Sequence, residues 1–150
     1  MKFKWLVILI ATYLISFATN LFPSLKHPDS TTALLHFLAA MLFLIGLVLF
    51  IYKAPHSIKF DQGFKLLLIV GILAGLIVFV CGLLEGSLSN SFIVDVSTAI
   101  QYPFYFLFIT PLFGLNYLLD LNYEIFSMSM SVVYLVLVAF MIQVRKSSRT

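Results

Sequence analysis

His36 and Glu85 are the two ionisable side chains whose positions suggest that they could share a proton. An imidazole beside a carboxylate can act as an acid–base couple or as a proton-sensitive latch near physiological pH. It can equally be a clasp between helices, or two residues solvated at an interface. Asn20, Asp95 and Gln101 are expected at the same end of the molecule and complete the candidate polar cluster. Thr12, Ser16 and Asn20 recur at i, i+4 and i+8. That spacing puts them on one helical face, where each is expected to hydrogen-bond to a neighbouring helix. Thr12, Ser16, Gln101, Thr110 and Asn116 could instead line a path through an oligomer.

Other chemistry has less support. His27, His36 and His56 lack the spacing of metal ligands. The alternation Ser127, Met128, Ser129, Met130, Ser131 reads as an interfacial helix start rather than a thioether site for Cu(I). There is no phosphate-binding glycine loop, no nucleophile elbow and no zinc-protease helix. Cys81 is the single cysteine and lies in an apolar run, which rules out an intrachain disulfide. No catalytic residue, metal or cofactor is therefore assigned. The net charge of +3 arises from 9 basic and 6 acidic residues, with no basic stripe for nucleic acid.

The elements that must position these residues are apolar helices. The chain of 150 residues is 62% hydrophobic and 10% charged, with a mean hydropathy of +1.10. A soluble domain carries roughly 25% charged residues. Five apolar segments run from Trp5 to Phe22, Ala33 to Tyr52, Phe64 to Leu84, Ala99 to Leu119 and Phe126 to Val144. Each approaches the ~20 residues that cross a bilayer core as a helix. Their unbroken hydrophobicity excludes the alternating strands of a membrane barrel. The reading is an all-α, polytopic integral membrane bundle, one domain over residues 1–150, most readily placed in a bacterial cell membrane. Lys2 and Lys4 before the first run resemble a signal peptide, and Ser16-Phe17-Ala18 a cleavage site. Because four more apolar segments follow, an uncleaved first helix is expected.

Charge and length disagree about the number of crossings. Lys2, Lys4, Lys53, Lys59, Lys65, Arg145, Lys146 and Arg149 share one side only if the crossings are even in number, leaving Lys26 alone opposite. The positive-inside rule favours that arrangement, with the fourth segment re-entrant and broken by Pro103, Pro111 and Gly114. Segment length favours five simple crossings, the simpler expectation. Either way the N-terminus is expected in the cytoplasm.

Gly71, Gly75, Gly82 and Gly86 share one face of the third segment and suit close helix packing. The expected neighbour is the second or fourth segment, or a second copy of the chain. The aromatic run Tyr102, Phe104, Tyr105, Phe106 and Phe108 reads as an interfacial belt and lipid-facing surface, with a lipid- or drug-binding cavity as the alternative. The Leu35-His36-Phe37 opening of the second segment, with Glu85 and Asp95 later, resembles the VanZ-like family of small membrane proteins. That family's other polar residues near the acidic positions are not matched, so its function is not carried over. The functional expectation is an accessory protein that contacts lipid and either itself or a membrane partner. A transporter or channel subunit is the second reading, and a membrane-embedded enzyme using His36 and Glu85 the third.

Overall fold

The computed structural model describes residues 4–26, 32–54, 58–87 and 91–147; the side chains of 58–60, 85–87, 91, 93 and 94 are outside that description. The helices are α1 (Lys4–Leu25), α2 (Leu34–Lys53), α3 (Ile58–Ser87), α4 (Ser91–Phe104), α5 (Asn116–Leu119) and α6 (Tyr123–Ser147). Between α4 and α5 the chain passes through a π-helical turn, Tyr105–Ile109, and a 3-10 stretch, Thr110–Leu115. Five helical stretches are long and apolar enough to cross a membrane, by length and composition: Lys4–Leu25, Leu34–Lys53, Asp61–Leu84, Asp95–Leu119 and Tyr123–Ser147.

Burial follows the logic of a chain solvated by hydrocarbon. Leu66, Leu73, Leu135 and Val136 are exposed, while Ser16, Asn20, Thr110 and Ser127 are fully buried. In water such an apolar exterior would drive aggregation. Inside, Phe43, Leu47, Phe50, Phe113, Phe126 and Met130 form the centre of one apolar core.

Four helices form an antiparallel bundle. Gly46 of α2 abuts Thr12 of α1, and the Tyr13 and Phe43 rings meet edge to face at 5.4 Å. The Phe50 and Phe64 rings join α2 to α3 at 4.8 Å. Gly71, Gly75 and Gly82 of α3 face Tyr134, Ser131 and Glu124 of α6 in that order. One number rises as the other falls, so α6 runs antiparallel to α3. Arg145 extends the register: its Nη2 lies 3.1 Å from Asp61 Oδ1, and its Nη1 donates to the Ala54 carbonyl at 3.3 Å. The starts of α1 and α3 and the ends of α2 and α6 thus share one end, called basal here. The opposite, distal end holds Asn20, His36, Gly82 and Tyr123.

The glycine face does not pack on the second or fourth segment as expected. It packs on α6, because glycine at 71, 75 and 82 leaves room for the Tyr134 ring, the Ser127 carbonyl and the Glu124 stem. With α6 seated there, that face is not free for a second copy. The surroundings of Gly86 lie outside the described residues.

The segment between α3 and α6 leaves from the distal end and rejoins α6 at the distal end. Five alternating traversals of the bundle would have made α6 parallel to α3. The segment packs on α3 through α4 and reaches α1 and α2 through its 3-10 stretch. Gly114 permits the closest approach, since a Cβ there would overlap the His36 carbonyl. Asp120, with φ of 45°, ends α5 in the left-handed conformation that Asp tolerates better than most residues. The Asn116 side chain closes the following turn, donating to the Leu121 carbonyl at 2.8 Å and accepting its N–H at 2.9 Å. Asn122 Oδ1 then caps α6 by accepting the Ile125 N–H at 3.1 Å.

Candidate functional site

Tyr13, Ser16, Asn20 and Ser24 of α1 bond to the broken segment, whereas Thr12, expected to bond to a neighbouring helix, donates to the Leu9 carbonyl of its own helix. Pro111 has no N–H to offer the Leu107 carbonyl four residues earlier. The Tyr13 hydroxyl donates to that carbonyl instead, at 3.1 Å. Tyr134 of α6 donates to the next carbonyl, Phe108, at 2.8 Å. Ser16 Oγ donates to the Pro111 carbonyl at 2.5 Å, and Asn20 Nδ2 reaches the same oxygen at 3.4 Å. Higher up, Ser24 Oγ donates to Thr110 Oγ1 at 3.4 Å, and the Tyr105 hydroxyl to the Ser24 carbonyl at 3.2 Å. A helix broken inside hydrocarbon needs such donors, since no water is there to supply them. Asn20 Oδ1 is buried without a hydrogen-bond partner among the described residues, and it faces Gly114.

Beside this seam, at the distal end, is a cavity of about 350 Å³. Ser24, Thr98, Gln101, Tyr105 and Tyr123 contribute its polar groups and Val78 part of its apolar wall. That volume is at the small end of the usual range for ligand sites. The arrangement can hold a small polar group by hydroxyl and amide hydrogen bonds.

The expected polar cluster lies partly outside the described residues. Asn20 and the His36 backbone meet at Gly114. Gln101 is buried in the cavity wall, and Asp95 is exposed on α4. The Glu85 side chain lies outside the described residues, so the His36–Glu85 couple does too. His36 itself has a local task. Its Nδ1 accepts the Ala33 backbone N–H at 2.8 Å, satisfying one of the unpaired donors at the start of α2. Among the described residues, no three His, Cys, Asp or Glu side chains converge as metal ligands.

Sequence reasoning missed Tyr13, Ser24, Tyr134 and the Arg145–Asp61 pair. Pro111 does predict an orphan carbonyl at Leu107, but no spacing in the sequence names its donor. The chain matches no family model, no curated protein and no solved structure, which leaves the VanZ-like resemblance without further support.

Proposed function

We propose that the chain is a multi-pass membrane protein with four crossings, and that its broken segment enters and leaves the bilayer at the distal end. It acts as an accessory protein, by binding rather than by chemistry. The observation that supports this best is the antiparallel register of α3 and α6, which brings both ends of the intervening segment to one end of the bundle. Among the described residues, the same arrangement gathers Lys4, Lys53, Lys65, Arg145 and Lys146 at the basal end, as the positive-inside rule favours for cytoplasmic loops. Both termini are then cytoplasmic. Thr12, Ser16 and Thr110 donate to backbone carbonyls, which weighs against a polar conduction path through them. The distal cavity is open for recognition, so a membrane partner or headgroup is engaged there rather than through the glycine face.

Two measurements test the reading. A reporter active only in the cytoplasm, fused after Thr150, is expected to be active; an inactive, stable fusion would restore five crossings. A photo-crosslinking amino acid at Tyr102, on the rim of the distal cavity, is expected to capture a discrete partner in cells. The same probe at Leu135, on the lipid-exposed face of α6, is expected to capture none. Identical patterns from the two positions would sink the binding reading.

A further inference from the structure

We propose that the basal half of the bundle holds one acyl chain of a phospholipid, drawn from the leaflet on that side. The proposal rests on the membrane reading above. The broken segment penetrates only to Leu107 and Phe108, whose carbonyls meet Tyr13 and Tyr134 near the midpoints of α1 and α6. A segment that turns back at mid-depth leaves about half of a ~30 Å hydrocarbon core without its fifth helix. The space left is a groove of about 620 Å³. Leu9 of α1 and Gly63 and Leu67 of α3 form its sides, Leu47 and Phe50 of α2 its back, and Phe108 its roof.

Three observations select the occupant. First, the hydroxyls of Tyr13 and Tyr134, the polar side-chain groups in the lining, are already bonded to segment carbonyls. Water would find no partners, and apolar cavities far smaller than this one take up hydrocarbon instead. Second, α1 packs on α2 and the 3-10 stretch but has no extensive contact with α3. The groove therefore opens sideways between α1 and α3, where the neighbours in a bilayer are alkyl chains. Third, the basal end carries the exposed bases Lys4, Lys53, Lys65 and Lys146. Those charges attract an anionic headgroup to the end from which the chain must enter.

Gly63 makes the test direct, because it lines the groove and a Cβ there has nothing within 4 Å. Gly63→Trp is expected to fill the groove. Leu66→Trp, at an exposed position outside the groove, is the control. The proteins are extracted from membranes in mild detergent, and phospholipid retained per chain is counted by mass spectrometry of the intact complex. Wild type and Leu66→Trp are expected to keep a phospholipid, enriched in anionic over zwitterionic species. In Gly63→Trp retention should fall about tenfold or more, the effect of displacing a ligand by 1.4 kcal/mol. If Gly63→Trp does not accumulate, Leu9→Trp blocks the groove from the other side. Equal retention in blocked and control variants overturns the acyl-chain site while leaving the membrane reading intact. A wild-type chain released from membranes by alkaline carbonate overturns both.

Discussion

Arg145 Nη2 lies 3.1 Å from Asp61 Oδ1 across 84 residues of sequence, and the same guanidinium reaches the Ala54 carbonyl. One side chain thus ties the ends of α2 and α6 to the start of α3 and sets the direction of the last helix. Both partners are mostly buried, so removing one leaves the other charge poorly solvated. Arg145→Gln or Asp61→Asn should each cost about 1.5–3 kcal/mol, the range for hydrogen bonds to charged groups. The double variant should cost clearly less than the sum, because the residues act as a unit. Thermal unfolding in detergent measures all three, and strict additivity would mean that the pair is not coupled.

The same register predicts which positions see the outside of the cell. In a Cys81→Ser background, Asp120→Cys and Lys26→Cys should react with a membrane-impermeant maleimide in intact cells. Lys146→Cys should react only after permeabilisation. Lys26, Asp120 and Lys146 are all exposed, so burial does not confound the comparison. Labelling of Lys146→Cys in intact cells would contradict four crossings.

Close packing makes different demands on different glycines. Gly75→Ile would drive a branched side chain into the Ser127 carbonyl and Ser131 of α6, and Gly114→Ala would overlap the His36 carbonyl. Overpacking of this kind costs about 1–3 kcal/mol or more. Gly63→Ala, in open space within α3, should leave the unfolding temperature unchanged or slightly raised, since Ala is the better helix former, and is the proper control. Gly46 is not neutral, because it faces Thr12. Unaltered stability in Gly75→Ile and Gly114→Ala would show that α3 and the broken segment are not seated as described.

Tyr13 and Pro111 form a logical pair. Tyr13→Phe removes the donor to the Leu107 carbonyl and should cost about 0.6 kcal/mol, the average for hydrogen bonds inside a membrane bundle, and no more than about 1.7 kcal/mol, the largest there. Pro111→Ala restores an N–H four residues after Leu107. In that background Tyr13→Phe should cost less. A double-mutant cycle on unfolding midpoints reads the difference, and an unchanged cost would assign Tyr13 a packing role alone.

Much of the architecture is legible from residues 4–147 read as a string. Continuous apolar runs of helix length demand a helical bundle whatever their arrangement, because backbone groups in hydrocarbon must bond within the segment. The helical face of Thr12, Ser16 and Asn20 is equally plain, since 3.6-residue periodicity is local. Pro103 and Pro111 mark the fourth segment as the irregular one for the same local reason. Which helix fills the glycine groove of α3 is a long-range matter. Gly75 fits any small, polar-backed neighbour, and only the fold brings Ser131 there. The Arg145–Asp61 contact likewise has no local signature, so the direction of α6, on which the proposed four crossings rest, could not be decided from segment length. Charge placement pointed to an even number of crossings, but through a statistical preference of insertion rather than a contact. His36 is a different case. Its Nδ1 takes the backbone N–H of Ala33, a need that arises only once α2 begins there, while its pairing with Glu85 lies outside the described residues.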